Sequence, residues 1–428
     1  MRVQRTSIIS YIRRPLPSDG RRPFGLSSLG FAAAFALAGC ASASFAPVPP
    51  LPDRQTADAP EAVLYLVGDA GDPESGSPIL SFLHDEATAR SRTSQVAIAF
   101  LGDNIYDNGL HEPGHPEREH DLETLELQLD AVRGTGARGI FVSGNHDWGY
   151  GGEQGLEQIR RQAAYIDAAA GEDLNVAFLP PEGGCPGPVA EALGETALLV
   201  AIDTEWLLRY EKEPPAGSTC EPTTAGEAFG ALREILSEPE ATARHVVVFA
   251  HHTLKTNGPH GGYFSVKDQV FPLTNIWGPL YIPIPFLYPI GRNSGVSSQD
   301  MSNPKNRRMV DSLVAAVSSA PRRPVAFASG HEHTLQVFRG TGFGADWLLV
   351  SGAGSRLRSV EKADALFVAG RQHGERGYMR VEFFRDGAVL LTVVTDGTGE
   401  CRGGTGSGKT CQPEPINRYW SWLRAAGS

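Results

Sequence analysis

The sequence predicts an α/β protein in which helices cover the faces of a mostly buried β-sheet. Short runs rich in Val, Ile, Leu and Phe recur from about residue 62 onwards, which is typical of strands buried on both faces. Segments with helical spacing separate the early runs, and this alternation is the pattern of α/β proteins. The chain has 428 residues, 41% of them hydrophobic and 20% charged, which is enough for a substantial core.

The predicted elements follow one another in chain order. The strands are VLYLV (63–67), VAIAF (96–100), GIFV (139–142), ALLVAI (197–202), HVVVFA (245–250), PVAFA (324–328), WLLV (347–350), YMRVEFF (378–384) and AVLLTVV (388–394). The helices between the early strands are PILSFLHDEATAR (78–90) and LETLELQLDAVR (122–133). The runs after Trp347 are joined by short turns that contain glycine, which indicates an antiparallel portion.

The first 39 residues have the composition of an export signal. Six Arg precede the apolar run FAAAFALAG (31–39), which is far shorter than the ~20 residues that span a bilayer. The stretch from Leu37 to Cys40 resembles the lipobox of bacterial lipoproteins, which implies that Cys40 carries lipid in the mature chain. Arg21-Arg22-Pro23-Phe24 resembles a twin-arginine signal, so both Sec and twin-arginine export stay open.

The composition also suggests domain limits and a location. After the signal peptide (1–39), residues 40–60 contain five Pro and predict a flexible tether. We expect one domain at 61–400 with an insertion at 270–305, and a loop and tail at 401–428. Ala41 offers no retention signal for the inner membrane, so we expect a lipid-anchored protein on the periplasmic face of a bacterial outer membrane.

Charge and cysteine content limit the possible partners. Without residues 1–39 the chain keeps 32 basic and 48 acidic residues, a charge of −16, so we expect no nucleic-acid partner. Four cysteines remain besides Cys40, as expected where disulfides persist. We predict the pairs Cys185–Cys220 and Cys401–Cys411.

One segment interrupts the alternation of strands and helices. Residues 275–294 are rich in Pro and aromatic residues, which predicts that they form no regular helix or central strand. We expect an ordered surface insertion. A wall of a substrate pocket or a loop that leans on a membrane are the alternatives.

Polar side chains follow five of the predicted strands at the point where each strand ends. The five stretches are Gly68-Asp69-Ala70-Gly71, Gly102-Asp103-Asn104-Ile105-Tyr106, Gly144-Asn145-His146-Asp147, His251-His252 and Gly330-His331-Glu332-His333. In open α/β sheets the carboxyl ends of the strands meet at one edge, so distant residues can converge there. Carboxylate, phenol, amide and imidazole groups suit hard or borderline cations.

This ordered set of motifs resembles the calcineurin-like metallophosphoesterases, and among them the purple acid phosphatases of the tartrate-resistant type, from about residue 62 to 335. The resemblance implies a two-sheet β-sandwich flanked by helices, a four-layer αββα arrangement, with a dinuclear metal site at the strand ends. It assigns Asp69, Asp103, Tyr106 and His333 to one metal, and Asn145, His251 and His331 to a second that Asp103 bridges.

The resemblance also implies the metals and the reaction. Most members of the superfamily have Asp-x-His at the first motif, whereas this chain has Gly71 there and Tyr106 in the purple acid phosphatase position. We therefore expect Fe(III) with a divalent Fe, Zn or Mn ion. The implied activity is hydrolysis of a phosphomonoester, on a small molecule or a phosphoprotein, by a metal-activated hydroxide. His146 and His260 would be catalytic. A phosphodiesterase, a nucleotide hydrolase or a non-catalytic binding lipoprotein are the alternatives.

Residues 401–411, CRGGTGSGKTC, contain a match to the P-loop pattern at 403–410. A P-loop opens a helix whose amide groups face the phosphates. Here Cys-Gln-Pro-Glu-Pro follows Thr410 and blocks a helix, so we expect a hairpin loop closed by a disulfide and no bound nucleotide.

Overall fold

The computed structural model describes residues 59–427 except 74–77, 182, 272, 274–280, 361–363 and 399–412. The predicted signal peptide, most of the predicted tether, the P-loop-like stretch and the Cys401–Cys411 pair lie outside these residues. The predicted Cys185–Cys220 disulfide is confirmed. Among the described helices, none is both long and apolar enough to cross a bilayer.

The described residues form fourteen strands and nine α-helices. The strands are β1 (Ala62–Val67), β2 (Gln95–Leu101), β3 (Arg138–Val142), β4 (Asn175–Phe178), β5 (Val189–Leu193), β6 (Ala197–Ala201), β7 (His245–Ala250), β8 (Ala326–Ser329), β9 (Leu335–Arg339), β10 (Trp347–Ser351), β11 (Phe367–Ala369), β12 (Gly377–Phe383), β13 (Val389–Thr395) and β14 (Ile416–Arg424). The helices are α1 (Ile79–Arg90), α2 (Arg118–Asp130), α3 (Gly155–Ala169), α4 (Thr204–Arg209), α5 (Ala225–Ser237), α6 (Pro239–Ala243), α7 (Val266–Val270), α8 (Leu287–Asn293) and α9 (Pro304–Ser318).

The strands form two seven-stranded sheets of mixed direction. The first has the order β14-β13-β12-β1-β2-β3-β4, with β1 to β4 parallel and β12 to β14 antiparallel. The second has the order β11-β9-β10-β8-β7-β6-β5, with a parallel centre from β10 to β6. The predicted antiparallel portion after Trp347 is thus confirmed, and β14 lies in the segment predicted as loop and tail.

Side chains at alternate positions of the strands belong to different core clusters, which shows how the layers pack. In β1, Leu64 and Leu66 belong to a core cluster that also contains Val247 and Phe249 of β7 and no helical residue. Side chains on the opposite strand faces join a second cluster with many helical residues, such as Val63 with Leu83 and Val248 with Leu232. Because successive side chains of a strand point to opposite faces, the first cluster lies between the sheets and the second under the helices. The predicted two-sheet sandwich flanked by helices is therefore confirmed.

The insertion differs from the prediction in one respect. The sequence predicts no regular helix over 275–294, and this is wrong, because α8 occupies Leu287–Asn293. Pro289 lies in the first turn of α8, where the missing N–H group would have no partner inside the helix anyway. The helix therefore loses no internal hydrogen bond to this proline.

Candidate metal centre

The predicted ligands come from loops at the carboxyl ends of strands in both sheets. Asp69, Asp103 and Asn145 follow β1, β2 and β3 of the first sheet. His251 and His331 follow β7 and β8 of the second sheet. The sheets meet closely here, since a Cβ atom on Gly330 would lie 2.7 Å from Asp69 Oδ2. Within the loops of the first sheet, a Cβ atom on Gly144 would lie 2.2 Å from Asp103 Oδ1. Glycine at both positions therefore leaves room for the carboxylates.

Asp69, Tyr106 and His333 form the first half of the cluster. The Tyr106 hydroxyl donates to Asp69 Oδ1 at 3.0 Å and lies 3.0 Å from His333 Nε2, and Nε2 lies 3.5 Å from Asp69 Oδ1. Burial, with the negative charges of Asp69 and Asp103, raises the pKa of Tyr106. The Arg356 guanidinium, 4.1 Å from the ring centroid, acts in the opposite direction. Ionisation of this phenol therefore needs more positive charge than the described residues supply.

Asn145, His251 and His331 form the second half. Asn145 Oδ1 lies 3.0 Å from His251 Nε2 and 3.0 Å from His331 Nδ1, and the two nitrogens are 3.1 Å apart. The other nitrogen of each ring faces a backbone carbonyl, that of Leu101 at 2.8 Å for His251 and that of Gln299 at 3.0 Å for His331. A carbonyl only accepts, so each ring carries its proton there. The lone pairs of Asn145 Oδ1, His251 Nε2 and His331 Nδ1 thus point towards one another.

Asp103 lies between the two halves. Its Oδ1 is 3.4 Å from His251 Nε2 in the second half. One ligand atom each from Asp69, Asp103 and His333 also lie within 4.8 Å of one another, and all three residues are buried. This carboxylate therefore reaches both groups, as a bridging ligand must.

Backbone strain is concentrated at the same residues. Asp69, Asp103 and His331 have φ values of 59°, 54° and 67°, a left-handed conformation that side chains with a Cβ rarely adopt. Such strain persists only where the surrounding structure enforces it, and it occurs preferentially at functional sites. Three of the predicted ligands are thus held in costly conformations.

The cluster fits cations in its charges and in its donor atoms. Burial and the charge of Asp103 raise the pKa of Asp69, because the two buried carboxylates lie close together. Burial lowers the pKa values of His251, His331 and His333, which keeps the imidazoles neutral and able to donate a lone pair. Buried negative charge and converging lone pairs are costly unless a cation binds them. The group of Asp69, Asp103 and His333 could hold a metal ion.

His146, predicted as catalytic, lies at the edge of the cluster. Its Nδ1 is 2.6 Å from the Asp107 carbonyl, so Nδ1 carries the proton, and Nε2 is 4.0 Å from Asp103 Oδ2. Its backbone N–H donates to Asp103 Oδ1 at 2.9 Å. The ring lies between Tyr106 and Tyr150, with 4.6 Å between centroids on each side. Nε2 therefore faces the cluster.

His260, the second predicted catalytic residue, packs on a predicted ligand. Its ring centroid is 4.0 Å from that of His331. Its Nδ1 is 3.0 Å from Asp300 Oδ1, and its backbone N–H donates to the Glu332 carboxylate at 3.0 Å. Arg292 binds both oxygens of Asp300. The ring is therefore held by an ion pair that the insertion supplies.

Several residues that position the ligands are not among the site residues predicted from the sequence. The clearest are Asp147, which had no assigned role at the centre, and Gln299 and Asp300. Asp147 accepts five hydrogen bonds, from the backbone N–H groups of Asn104, Ile105 and Gly144 and from the side chains of Asn104 and Gln162. It thereby joins the loops after β2 and β3. In the sequence, only the position of Asp147 two residues after Asn145 points to such a role.

Sequence comparisons with known proteins identify no family for this chain. No protein-family model matches the chain, and no curated protein matches it significantly in sequence. Among solved structures, the chain is similar to the protein described as "GAP50 the anchor in the inner membrane complex of Plasmodium", with 14% sequence identity and a TM-score of 0.47. The match covers 83% of this chain and 88% of that one.

Proposed function

We propose that this protein hydrolyses phosphate esters, with phosphomonoesters as its substrates, at a centre that holds two metal ions. The observation that supports this most is the pair of ligand groups with Asp103 between them. Asp69, Tyr106 and His333 would hold one ion, and Asn145, His251 and His331 the other. The bound pair would supply an acidified water molecule and positive charge for the phosphoryl oxygens.

Side chains of this protein would prepare the ligands for metal binding and contact the substrate. The carbonyls of Leu101 and Gln299 keep the protons of His251 and His331 away from the centre, so these rings need not lose a proton before they bind. His146 turns Nε2 towards the centre, where it would contact a phosphoryl oxygen or the leaving oxygen. His260 turns Nδ1 to Asp300, which leaves its Nε2 for the same task.

We also propose iron as one of the two ions and an exported, lipid-anchored protein. A buried phenol that needs added positive charge to ionise suits Fe(III), and a phenolate on Fe(III) absorbs visible light. The motif at Cys40 supports the anchor. Loss of the visible band in Tyr106→Phe, with the metal content retained, is the expected spectroscopic result. A chain that holds zinc alone and is colourless would exclude iron.

Metal content and turnover of a chromogenic phosphate ester, measured on the same samples, test the proposed reaction. We expect about two metal ions per chain and steady hydrolysis at mildly acidic to neutral pH. In Asp103→Asn and His331→Ala, kcat should fall by more than about 100-fold, because even residues behind the ligands typically contribute 10- to 100-fold. The exposed His115→Ala is the matched control. Metal-bearing protein that cleaves no ester would point to a binding module instead.

A further inference from the structure

The insertion carries a cluster of exposed apolar side chains, which we call the apolar patch. It consists of Tyr281, Ile282, Phe286 and Ile290, which are 59, 48, 60 and 66% exposed. Six of the nine large apolar side chains that the described residues expose lie between Val266 and Val296. Single exposed apolar residues are ordinary, but a cluster on one segment marks an interaction site.

Backbone contacts give the apolar patch a defined shape. The Phe286 N–H donates to the Gln269 carbonyl at 2.8 Å, and the Ile284 N–H donates to the Val270 carbonyl at 2.9 Å. The ring of Tyr281 lies 5.6 Å from that of Phe271. The segment therefore folds back on α7, and its apolar side chains project from an ordered base.

Phe286 supplies an independent sign of function. Its φ of 66° is left-handed, which is unfavourable for a bulky side chain. The strained residue nevertheless leaves its ring 60% exposed, so burial within the described chain does not compensate for the strain. Strained residues of this kind cluster at active sites, ligand clamps and switch regions.

The charge of the segment indicates the chemistry of the partner. Residues 269–299 contain no Asp or Glu, although the chain has 49 of them among 428 residues, and Arg292 is the one basic residue there. A surface without carboxylates is not repelled by anionic lipid headgroups. Tyrosine and other amphipathic rings are enriched where a protein meets the boundary between headgroups and acyl chains.

A bilayer fits this surface better than a second copy of the chain. Stable protein interfaces use about 20–30 residues a side, whereas the apolar patch presents four projecting side chains. In addition, residues 41–58 separate the predicted lipid on Cys40 from the described chain, and such a segment reaches up to about 60 Å.

We propose that the apolar patch rests on a lipid bilayer, with Phe286 and Ile290 entering the boundary between headgroups and acyl chains. The same helix carries Arg292, which binds Asp300 beside His260. Contact with the bilayer would therefore place the candidate metal centre close to the membrane surface. The proposal does not depend on catalysis, because it rests on the exposure, strain, charge and size of the apolar patch and on the predicted lipid at Cys40.

Tryptophan fluorescence in brominated vesicles tests the contact. The full chain carrying Ile290→Trp would be reconstituted with phosphatidylethanolamine and phosphatidylglycerol whose acyl chains bear bromine, a quencher that acts at short range. Leu127→Trp is the matched control, because Leu127 is 48% exposed on α2, outside the insertion. The emission of the parent chain, which has six Trp, is subtracted in both cases.

We expect the added emission at 290 to be quenched at least about twofold more than that at 127, since interfacial side chains enter about 5–10 Å into the bilayer. Adding Phe286→Ser should reduce this quenching. Equal quenching at both positions, or none at 290, would overturn the proposal. A blue shift at 290 that grows with protein concentration and needs no vesicles would also overturn it, because a second copy would then cover the patch.

Discussion

Asp147 shows how much one buried carboxylate can organise around this centre. Five N–H groups donate to it, which favours its ionised form, while burial and the charge of Asp103 raise its pKa to about 7. The side chain is fully buried and holds together the loops that carry Asp103 and Asn145. Its role is therefore to set the spacing of two predicted ligands.

Replacing this carboxylate with an amide should destabilise the fold. In Asp147→Asn, one oxygen becomes an NH₂ group that faces donors, so we expect the free energy of unfolding to fall by about 2–3 kcal/mol. Urea denaturation of the metal-free protein measures this. The exposed Asp173→Asn should change stability by less than about 0.5 kcal/mol. If both variants unfold at the wild-type midpoint, the five bonds contribute nothing to stability.

His245 predicts a pH dependence that is unrelated to the metal centre. Burial at the start of β7, with the positive charges of Arg322 and Arg424, lowers the pKa of His245 to about 4. The unfolded chain therefore binds a proton at this residue more readily than the folded one. Its contribution to stability is present above about pH 6.5 and is lost as the pH falls towards 4.

The variant His245→Leu should flatten this part of the stability profile. Leucine keeps a similar volume and does not titrate, so the loss of unfolding free energy between pH 6.5 and 4 should shrink by up to about 3 kcal/mol. Urea denaturation at half-unit pH steps compares the two profiles. Parallel profiles for wild type and variant would show that His245 is not the group responsible.

At the level of secondary-structure elements, hydrogen bonds from the segment Gln299–Met301 hold the histidines of the centre in place. The Gln299 carbonyl accepts from His331, Asp300 binds the ring of His260, and the Met301 N–H donates to the His260 carbonyl at 2.9 Å. Arg292 on α8 fixes Asp300 in turn. The insertion is thus connected to the centre through three consecutive residues.

Weakening the contact between Asp300 and His260 should lower turnover more than it lowers metal content. In Asp300→Asn the His260 ring loses its carboxylate partner, so we expect kcat on a phosphate ester to fall about 10- to 100-fold, as is typical when a partner of a site residue is removed. Elemental analysis should still find the wild-type metal content, because no ligand changes. Asp311→Asn, exposed on α9, is the control. Wild-type kcat in Asp300→Asn would show that His260 needs no such positioning.

At the scale of the whole molecule, the centre joins the two sheets. Asp69, Asp103 and Asn145 belong to loops of the first sheet, and His251 and His331 to loops of the second. Bound cations would therefore link both halves of the sandwich. Metal removal should affect the stability of the entire domain.

Chelation tests this link directly. A chelator should lower the melting temperature, and added metal should restore it, because a ligand that binds only the folded state at 1,000 times its Kd stabilises it by about 4 kcal/mol. Scanning calorimetry measures both transitions. Asp103→Asn, which lacks the bridging carboxylate, should respond much less. An unchanged melting temperature in the wild type would mean that the cations contribute nothing to stability.

All nine strands and both helices that the sequence predicts are present in the structure, because apolar runs and helical spacing leave a recognisable pattern within a few residues. Five of the described strands, β4, β5, β9, β11 and β14, and seven of the described helices, α3 to α9, are not predicted from the sequence. Strand β11 has three residues. Short or partly exposed strands depend on a neighbour for their stability, so their own pattern is too weak to reveal them.

At the candidate site, the order of residues is enough to place the chemical groups at the strand ends, since glycine, carboxylate, amide and imidazole residues follow the apolar runs directly. How these groups face one another, and which residues hold them in place, depends on the packing of the folded chain. Gln299 lies 32 residues from His331, and its contact is made by a backbone carbonyl that every residue possesses. Contacts of that kind, and the exposure of Phe286, arise from the packing of distant segments, which no local pattern records.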